Sequence, residues 1–182
     1  MNFSVKTAAL LALMLALAAC ASQSVTPPPP DRVNVSSLPQ AASAAVQSDP
    51  LAGAVLAAVN GYRAQHDAPA LAADGALQRA AAVHSADMAL RNFVGHYNPD
   101  SQGPRERVRA VMPDYKGSVA ENIGVVEDKG RAPEAIASDL VKRWAGSLEH
   151  RKNMRNADYT RSGVGIARKG GQIYATEVFA GP

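Results

Sequence analysis

Apolar residues recur at helical spacing in the middle of the chain, and each run begins at a recognisable start signal. Asp49 followed by Pro50 is one such signal, because aspartate caps a helix and proline suits the first helical position. The apolar positions that follow predict a helix that ends near His66. These positions are Leu51, Val55, Val59 and Tyr62.

Asp74 predicts the start of a second helix, with a face that carries Leu77, Ala81, His84 and Met88. His84 therefore lies on an apolar stripe. A histidine in that position is more often a hydrogen-bonded core residue than a ligand, because buried polar groups need partners. We predict a core residue, and ligand binding is the alternative.

Residues 93–103 contain turn-forming residues throughout, in the order Phe-Val-Gly-His-Tyr-Asn-Pro-Asp-Ser-Gln-Gly. No apolar periodicity surrounds His96, so the sequence alone predicts an exposed loop histidine. Pro104 then begins a short helix, which Pro113 and Gly117 bring to an end.

A third apolar stripe begins at Pro133 and repeats every four residues up to Trp144, the only tryptophan in the chain. A glycine then breaks the pattern, and the polar run 147–153 follows. We therefore predict that this helix packs Trp144 into the core and that the loop after it displays Ser147 and His150.

The remaining periodic segments predict strands. Residues 120–126 place Glu121 beside a short apolar run, which is consistent with a short strand. Residues 163–167 and 173–179 flank a Lys-Gly-Gly turn, and their alternation predicts a β-hairpin. Four helical segments with a late hairpin indicate an α+β layer structure.

The first 48 residues have a different composition from the rest of the chain. Residues 1–19 join Lys6 to an apolar run that is too short for a permanent span, which is typical of a secretory signal peptide. Residues 20–48 contain four consecutive prolines and predict a disordered tether. The domain then occupies 49–182.

The signal closes on Leu-Ala-Ala-Cys at Cys20, which resembles the bacterial lipoprotein box. An ordinary cleaved signal is the alternative. The resemblance implies that acyl chains such as palmitate are attached to Cys20, and three chains would anchor the protein stably. Ala21 follows, not aspartate, which by resemblance to the sorting pattern implies the outer membrane, facing the periplasm. Cys20 is the only cysteine, so no internal disulfide can form.

Charge narrows the range of partners only slightly, because the net charge is +3. Two basic clusters predict a solvated surface, with contact to an anionic envelope component as the alternative. No zinc-finger spacing, Walker loop or basic-aromatic stripe is present in the sequence, so nucleic-acid binding is not indicated. The clusters are Arg105/Arg107/Arg109 and Arg143/Arg151/Lys152/Arg155.

The order of motifs over about residues 50–181 resembles the CAP superfamily of cysteine-rich secretory, antigen 5 and pathogenesis-related proteins, which has a large bacterial branch. The resemblance implies an α-β-α sandwich, in which a small antiparallel sheet lies between helical layers under a cleft. The matching segments are His84–Ala89, Gly95-His96, Ala120–Ile123, the Trp144/Ser147/His150/Asn153 run, Gly163–Gly165 and Tyr174–Phe179.

In many members of that superfamily the cleft holds two histidines and two acidic residues. His96 and His150 match the histidines, and Glu121 matches one acid. Ser147 stands where animal relatives carry the second acid, as in the bacterial pattern Trp-x-x-Ser-x-x-His. The resemblance thus implies a cleft formed by His96, Glu121, Ser147 and His150.

Three interpretations are open for this set. His96, Glu121 and His150 would suit zinc or another divalent ion, with water as the fourth ligand. Ser147, His150 and Glu121 could instead form a hydrolase triad, although no Gly-x-Ser-x-Gly elbow is present. The polar groups could also serve only to hold loops. We expect a non-enzymatic envelope module for a lipid or wall-derived ligand.

Overall fold

The computed structural model describes residues 49–182. The predicted signal peptide (1–19), tether (20–48) and acylated Cys20 lie outside the described residues and stay predictions. Within 49–182, no helix is both long and apolar enough to cross a lipid bilayer.

The described residues form five helices and four strands, and the four predicted helices and the hairpin are confirmed. The helices are α1 (Pro50–Ala64), α2 (Gly75–Arg91), α3 (Pro104–Val111), α4 (Pro133–Gly146) and α5 (Leu148–Arg155). The strands are β1 (Ala72–Ala73), β2 (Val119–Glu127), β3 (Arg161–Lys169) and β4 (Gln172–Ala180).

Side-chain caps fix the starts of α1 and α2, as the sequence predicts. The Asp49 carboxylate accepts a hydrogen bond from the backbone N–H of Leu51 at 2.9 Å. The Asp74 carboxylate accepts from Ala76 at 2.8 Å and from Leu77 at 3.1 Å. Each cap satisfies helix N–H groups that have no partner within the helix.

The polar run after α4 is a helix, so the prediction of a loop there was wrong. Ser147 alone is extended, with φ −94° and ψ 130°, and α5 begins at the next residue. Residues 148–155 contain neither glycine nor proline. Glu149 in the first turn and Lys152 in the last complement the helix dipole.

The sheet has the strand order β1-β3-β4-β2. The three long strands are antiparallel, and the short β1 pairs parallel with β3. The β3–β4 turn requires Gly170 and Gly171, whose φ values are +57° and +75°. On β2, Glu121 lies opposite Val178 and the next residue, Asn122, lies opposite Glu177, so these pairs occupy opposite faces of the sheet.

Helices cover both faces of the sheet, which confirms the α-β-α sandwich. On one face α1, α4 and α5 pack against strand residues such as Phe179. On the other, α2 and α3 pack against Val178 and Ala180. Glu121 shares the Val178 face and therefore points toward α2 and α3.

Trp144 is the predicted core anchor, with 1% of its surface exposed. Its indole N–H donates to the Ile123 carbonyl at 2.8 Å, which ties the end of α4 to β2. Gly124 lies beneath it, where a Cβ atom would come within 2.8 Å of Leu140 Cδ2. A side chain at position 124 would therefore require the Leu140 side chain to move.

Two glycines of β3 allow α2 to lie directly on the sheet. A Cβ atom at Gly163 would lie 2.0 Å from the backbone nitrogen of Gln78, and one at Gly165 would lie 2.1 Å from that of Ala82. Both obstacles are main-chain atoms and cannot swing aside. The approach of helix and strand thus depends on the absence of side chains at these positions.

One acidic side chain is fully buried on the α1 face of the sheet. The Ser162 hydroxyl donates to Glu177 Oε1 at 2.9 Å, whereas Oε2 has no partner within the described residues. Burial raises the pKa of Glu177 to about 8, although Ser162 and Arg63 act to lower it. Glu177 is therefore largely protonated in the folded state at neutral pH.

Candidate functional site

Glu121 lies at the centre of the candidate site and is 4% exposed. Its Oε1 accepts a hydrogen bond from His96 Nδ1 at 3.0 Å. Its Oε2 accepts one from Arg107 Nη2 at 2.7 Å. Both oxygens of the carboxylate are thus engaged, one by the loop after α2 and one by α3.

Arg107 is a site residue that sequence reasoning missed. The prediction of a solvated surface was wrong for it, because it is 3% exposed and paired with Glu121. It also donates to the carbonyls of His96 at 3.0 Å and Gln102 at 2.7 Å, which holds the loop. No local signal in the sequence could have found it, because its partner Glu121 is 14 residues away on a different element.

His84 is a buried core residue, as predicted. It is fully buried, and its Nε2–H donates to the Gly95 carbonyl at 2.8 Å. The same nitrogen lies 3.7 Å from Glu121 Oε1. Burial lowers the pKa of His84, and Arg107 acts in the same direction, although Glu121 opposes them. A neutral His84 supports the loop that carries His96.

His96 and His150 face each other across the cleft. Their ring centroids are 5.8 Å apart, in an edge-to-face arrangement. The His96 side chain is 42% exposed, and His150 is half-buried. Burial lowers the pKa of His150, and the nearby His96 lowers it further. The structure therefore brings His96, Glu121 and His150 together, with His150 neutral at neutral pH.

Two asparagines fix α5 to β2. Asn122 Nδ2 donates to the His150 carbonyl at 3.1 Å. Asn153 Nδ2 lies 3.0 Å from Asn122 Oδ1 and 3.2 Å from the Glu121 carbonyl, and it donates to both. These hydrogen bonds hold α5, and with it His150, against the part of β2 that carries Glu121. The sequence pattern does not predict this role of the two asparagines.

The loop that carries His96 is held in place from its far side. Asn98 Nδ2 donates to Asp87 on α2 at 3.0 Å. Asn98 Oδ1 accepts from the backbone N–H groups of Asp100 and Gln102. Arg91 pairs with both Asp87 and Asp100. His96 is thus presented by a hydrogen-bonded loop, although no helix or strand contains it.

The model of the cysteine-rich secretory protein family (CAP) matches residues 56–180. The chain belongs to this family. Its domain is a CAP domain of the bacterial SCP type, as the resemblance implied.

Three proteins illustrate what this chain is similar to. The uncharacterized protein YkwD of Bacillus subtilis (strain 168) is 32% identical over 117 residues, which are 64% of this chain and 42% of YkwD. An extracellular protein containing a SCP domain from Bacillus anthracis str. Ames is 26% identical, with TM-score 0.60 over 72% of this chain and 40% of that one. A structure of NaASP2 with Zn2+ has TM-score 0.52 and 16% identity, over 72% of this chain and 80% of that one. The chain spans less than half the length of the curated relatives it matches.

The ring centroids of His96 and His150 are separated by a distance close to that of two histidines that share a zinc ion. Two imidazoles on a tetrahedral zinc have ring centroids roughly 5 Å apart, because Zn–N bonds are about 2.0–2.1 Å, and the His96–His150 separation is 5.8 Å. Within residues 49–182 no group of three or more His, Cys, Asp and Glu is placed to hold a metal. Glu121 as a third direct ligand therefore stays a prediction.

Ser147 stands at the junction of α4 and α5 of the CAP domain and is half-exposed. Within the described residues, no hydrogen bond of its hydroxyl caps α5, and none joins it to His150. Glu121 bonds His96, so it does not orient His150. The connections that a Ser147–His150–Glu121 triad needs are not assembled in this structure.

Proposed function

We propose that this CAP domain is a non-enzymatic binding module whose cleft holds a divalent metal ion, zinc in the first instance, through His96 and His150. One observation carries the proposal: two imidazoles face each other at 5.8 Å, and a buried carboxylate backs one of them. When bound, the metal would supply a Lewis-acid position for an oxygen or anionic group of a ligand.

Glu121 supports this role through its hydrogen bond to His96. Its bond to His96 Nδ1 leaves Nε2 as the free ring nitrogen. Metal-binding histidines generally donate their other N–H to a carboxylate or carbonyl in this way. Arg107 holds the remaining Glu121 oxygen, so the carboxylate stays aimed at His96.

Apolar side chains beside His96 support an amphipathic ligand. Val94 and Tyr97 are 62% and 67% exposed. Val94 and Tyr97 are within two residues of His96, so an apolar group could rest there while a polar group reaches the histidines. A lipid or wall-derived molecule has both parts.

We further propose that the protein acts in the bacterial envelope, anchored by an acylated Cys20 and facing the periplasm from the outer membrane. The support is the Leu-Ala-Ala-Cys sequence before Ala21. A Cys20→Ala variant is expected to leave the membrane fraction of the cell. Fractionation identical to that of the unaltered protein would remove the anchor from the proposal.

Calorimetric titration with zinc tests the cleft. The unaltered protein should release or absorb heat with a stoichiometry near one, and His96→Ala and His150→Ala should each abolish it. Glu121→Gln should weaken binding by about 10–100-fold, the usual effect of removing a supporting carboxylate. His66→Ala is the matched control, because His66 stacks on Tyr62 beyond the end of α1.

Two results would contradict the proposal. If titrating zinc into the protein produces no more heat than titrating zinc into buffer alone, the proposed metal site is wrong. Hydrolysis of peptide or envelope substrates that disappears in Ser147→Ala would replace the non-enzymatic module with a hydrolase.

A further inference from the structure

The outer face of α5 carries a run of cations around one exposed leucine. Its residues recur at i, i+3, i+4 and i+7, so they lie on one side of the helix. They are Leu148, Arg151, Lys152 and Arg155. With Asn156 they line a shallow groove of about 380 Å³.

Three of these four side chains are exposed, and Arg151 is half-buried. Leu148 is 56% exposed, and the Lys152 side chain is 61% exposed. Arg155 is also exposed, and within residues 49–182 no acidic side chain pairs with it. Glu149 is the only acid of α5, and its contact with Lys152 is between two exposed groups, so it holds Lys152 weakly.

We propose that this α5 face, defined by Leu148, Arg151, Lys152 and Arg155, docks on the surface of a bilayer that contains anionic phospholipid. The three cations of this face outnumber the single acid of α5, so the face complements anionic headgroups. An exposed leucine among them can enter the boundary between headgroups and acyl chains. A soluble anionic polymer would use the cations but would gain nothing from Leu148.

The proposal is independent of the cleft. His150 is two residues from Leu148 and lies on the other side of α5, where its ring contacts His96. Docking through the outer face therefore leaves both histidines on the far side of the helix. A failure of zinc binding would not affect this inference, and a failure of docking would not affect the metal site.

Lys152 and Arg155 are the residues to change. Arg151 is unsuitable because it also donates to the Ala145 carbonyl at 2.7 Å and so supports the junction with α4. The test variant is Lys152→Ala/Arg155→Ala. The matched control is Arg109→Ala/Lys116→Ala, which removes two exposed cations from the part of the chain around α3, on the other side of the sheet.

Co-flotation with vesicles measures the docking. All proteins compared are full-length and carry Cys20→Ala, because acyl chains on Cys20 would hold the protein on either vesicle type. Phosphatidylcholine vesicles are compared with equimolar phosphatidylcholine–phosphatidylglycerol vesicles at low and high salt. Any contribution of residues 1–48 is common to all variants, so the preference for anionic vesicles is the readout. It should fall about 25-fold in the Lys152/Arg155 variant, because each cation near an anionic surface contributes about fivefold. The control should retain it, and Leu148→Ala should weaken binding to anionic vesicles.

The proposal is wrong if the unaltered protein binds both vesicle types equally or if the Lys152/Arg155 variant keeps the preference. Polyphosphate binding that depends on these cations but not on Leu148, without vesicle preference, would make the partner an anionic polymer and would also overturn the bilayer assignment. Unfolding curves of each variant establish that the fold is intact.

Discussion

Glu177→Gln is expected to stabilise the domain at neutral pH and to flatten the pH dependence of its free energy of unfolding. The folded state holds the Glu177 proton because burial raises the pKa to about 8. The unfolded chain releases it near the ordinary value of 4.5. A pKa raised by folding contributes stability that is fully present below pH 4.5 and is lost as pH rises toward 8.

The magnitude follows from the two pKa values. Between them, the free energy of unfolding falls by about 1.4 kcal/mol per pH unit. At pH 7 this cost is about 3 kcal/mol. Glutamine does not titrate, and its carbonyl can still accept from the Ser162 hydroxyl. Its amide leaves buried N–H groups unsatisfied, which offsets the gain by about 1–3 kcal/mol, so a net gain of up to about 2 kcal/mol is expected at pH 7.

Urea unfolding at pH 5, 6, 7 and 8 provides the assay. The difference between Glu177→Gln and the unaltered domain should grow steadily with pH, while the contributions of histidines cancel in that difference. Glu134→Gln, at an exposed first-turn position of α4, serves as the control and should give a nearly constant difference. Parallel curves for Glu177→Gln and the unaltered domain would show that Glu177 does not hold a proton in the folded state.

Three further predictions concern stability. Arg107→Leu should lower the free energy of unfolding by about 3–5 kcal/mol, because Glu121 would remain buried without its partner, and adding Glu121→Gln should recover part of that loss in a double-mutant cycle. Trp144→Phe should cost about 1–3 kcal/mol in thermal unfolding, since the Ile123 carbonyl loses its donor; an unchanged midpoint would contradict this role. Burial lowers the pKa of His84, so its contribution to stability is present above pH 6.5 and lost below it. His84→Gln should therefore reduce the difference in unfolding free energy between pH 7 and pH 5, and an unaltered difference would exclude His84 as its source.

Local signals in the sequence were sufficient for most of the fold. Asp49 and Asp74 are caps whose partners lie two or three residues away, so their effect can be read from the sequence. The β3–β4 hairpin also depends on a local signal, which is the pair of glycines in its turn. In contrast, α5 lacks an apolar stripe of its own and follows a glycine, so the pattern favoured a loop. Its helical state depends on packing, with Met154 buried in the core.

Three residues of the candidate site could be predicted from the sequence, but the contacts that hold them in place could not. The family resemblance supplied His96, Glu121 and His150, and the structure brings these three together. The partner of Glu121 was missed because Arg107 is 14 residues away in sequence and is reached only when α3 packs on β2. Arginines on a short, highly charged helix carry no local signal of a buried acid. Long-range ion pairs of this kind become visible only in three dimensions.

The absence of side chains at Gly163 and Gly165 of β3 limits how the cleft can vary among related sequences. His84 and Asp87, which support the His96 loop, are both carried by α2. Because α2 rests on backbone atoms at Gly163 and Gly165, a single added methyl group at either glycine would displace the whole helix and the loop it supports. Substitutions there would weaken ligand binding without touching a ligand, so a binding screen would score them as defects of the cleft. The tolerance of the site to mutation is thus limited by two residues that have no side chains.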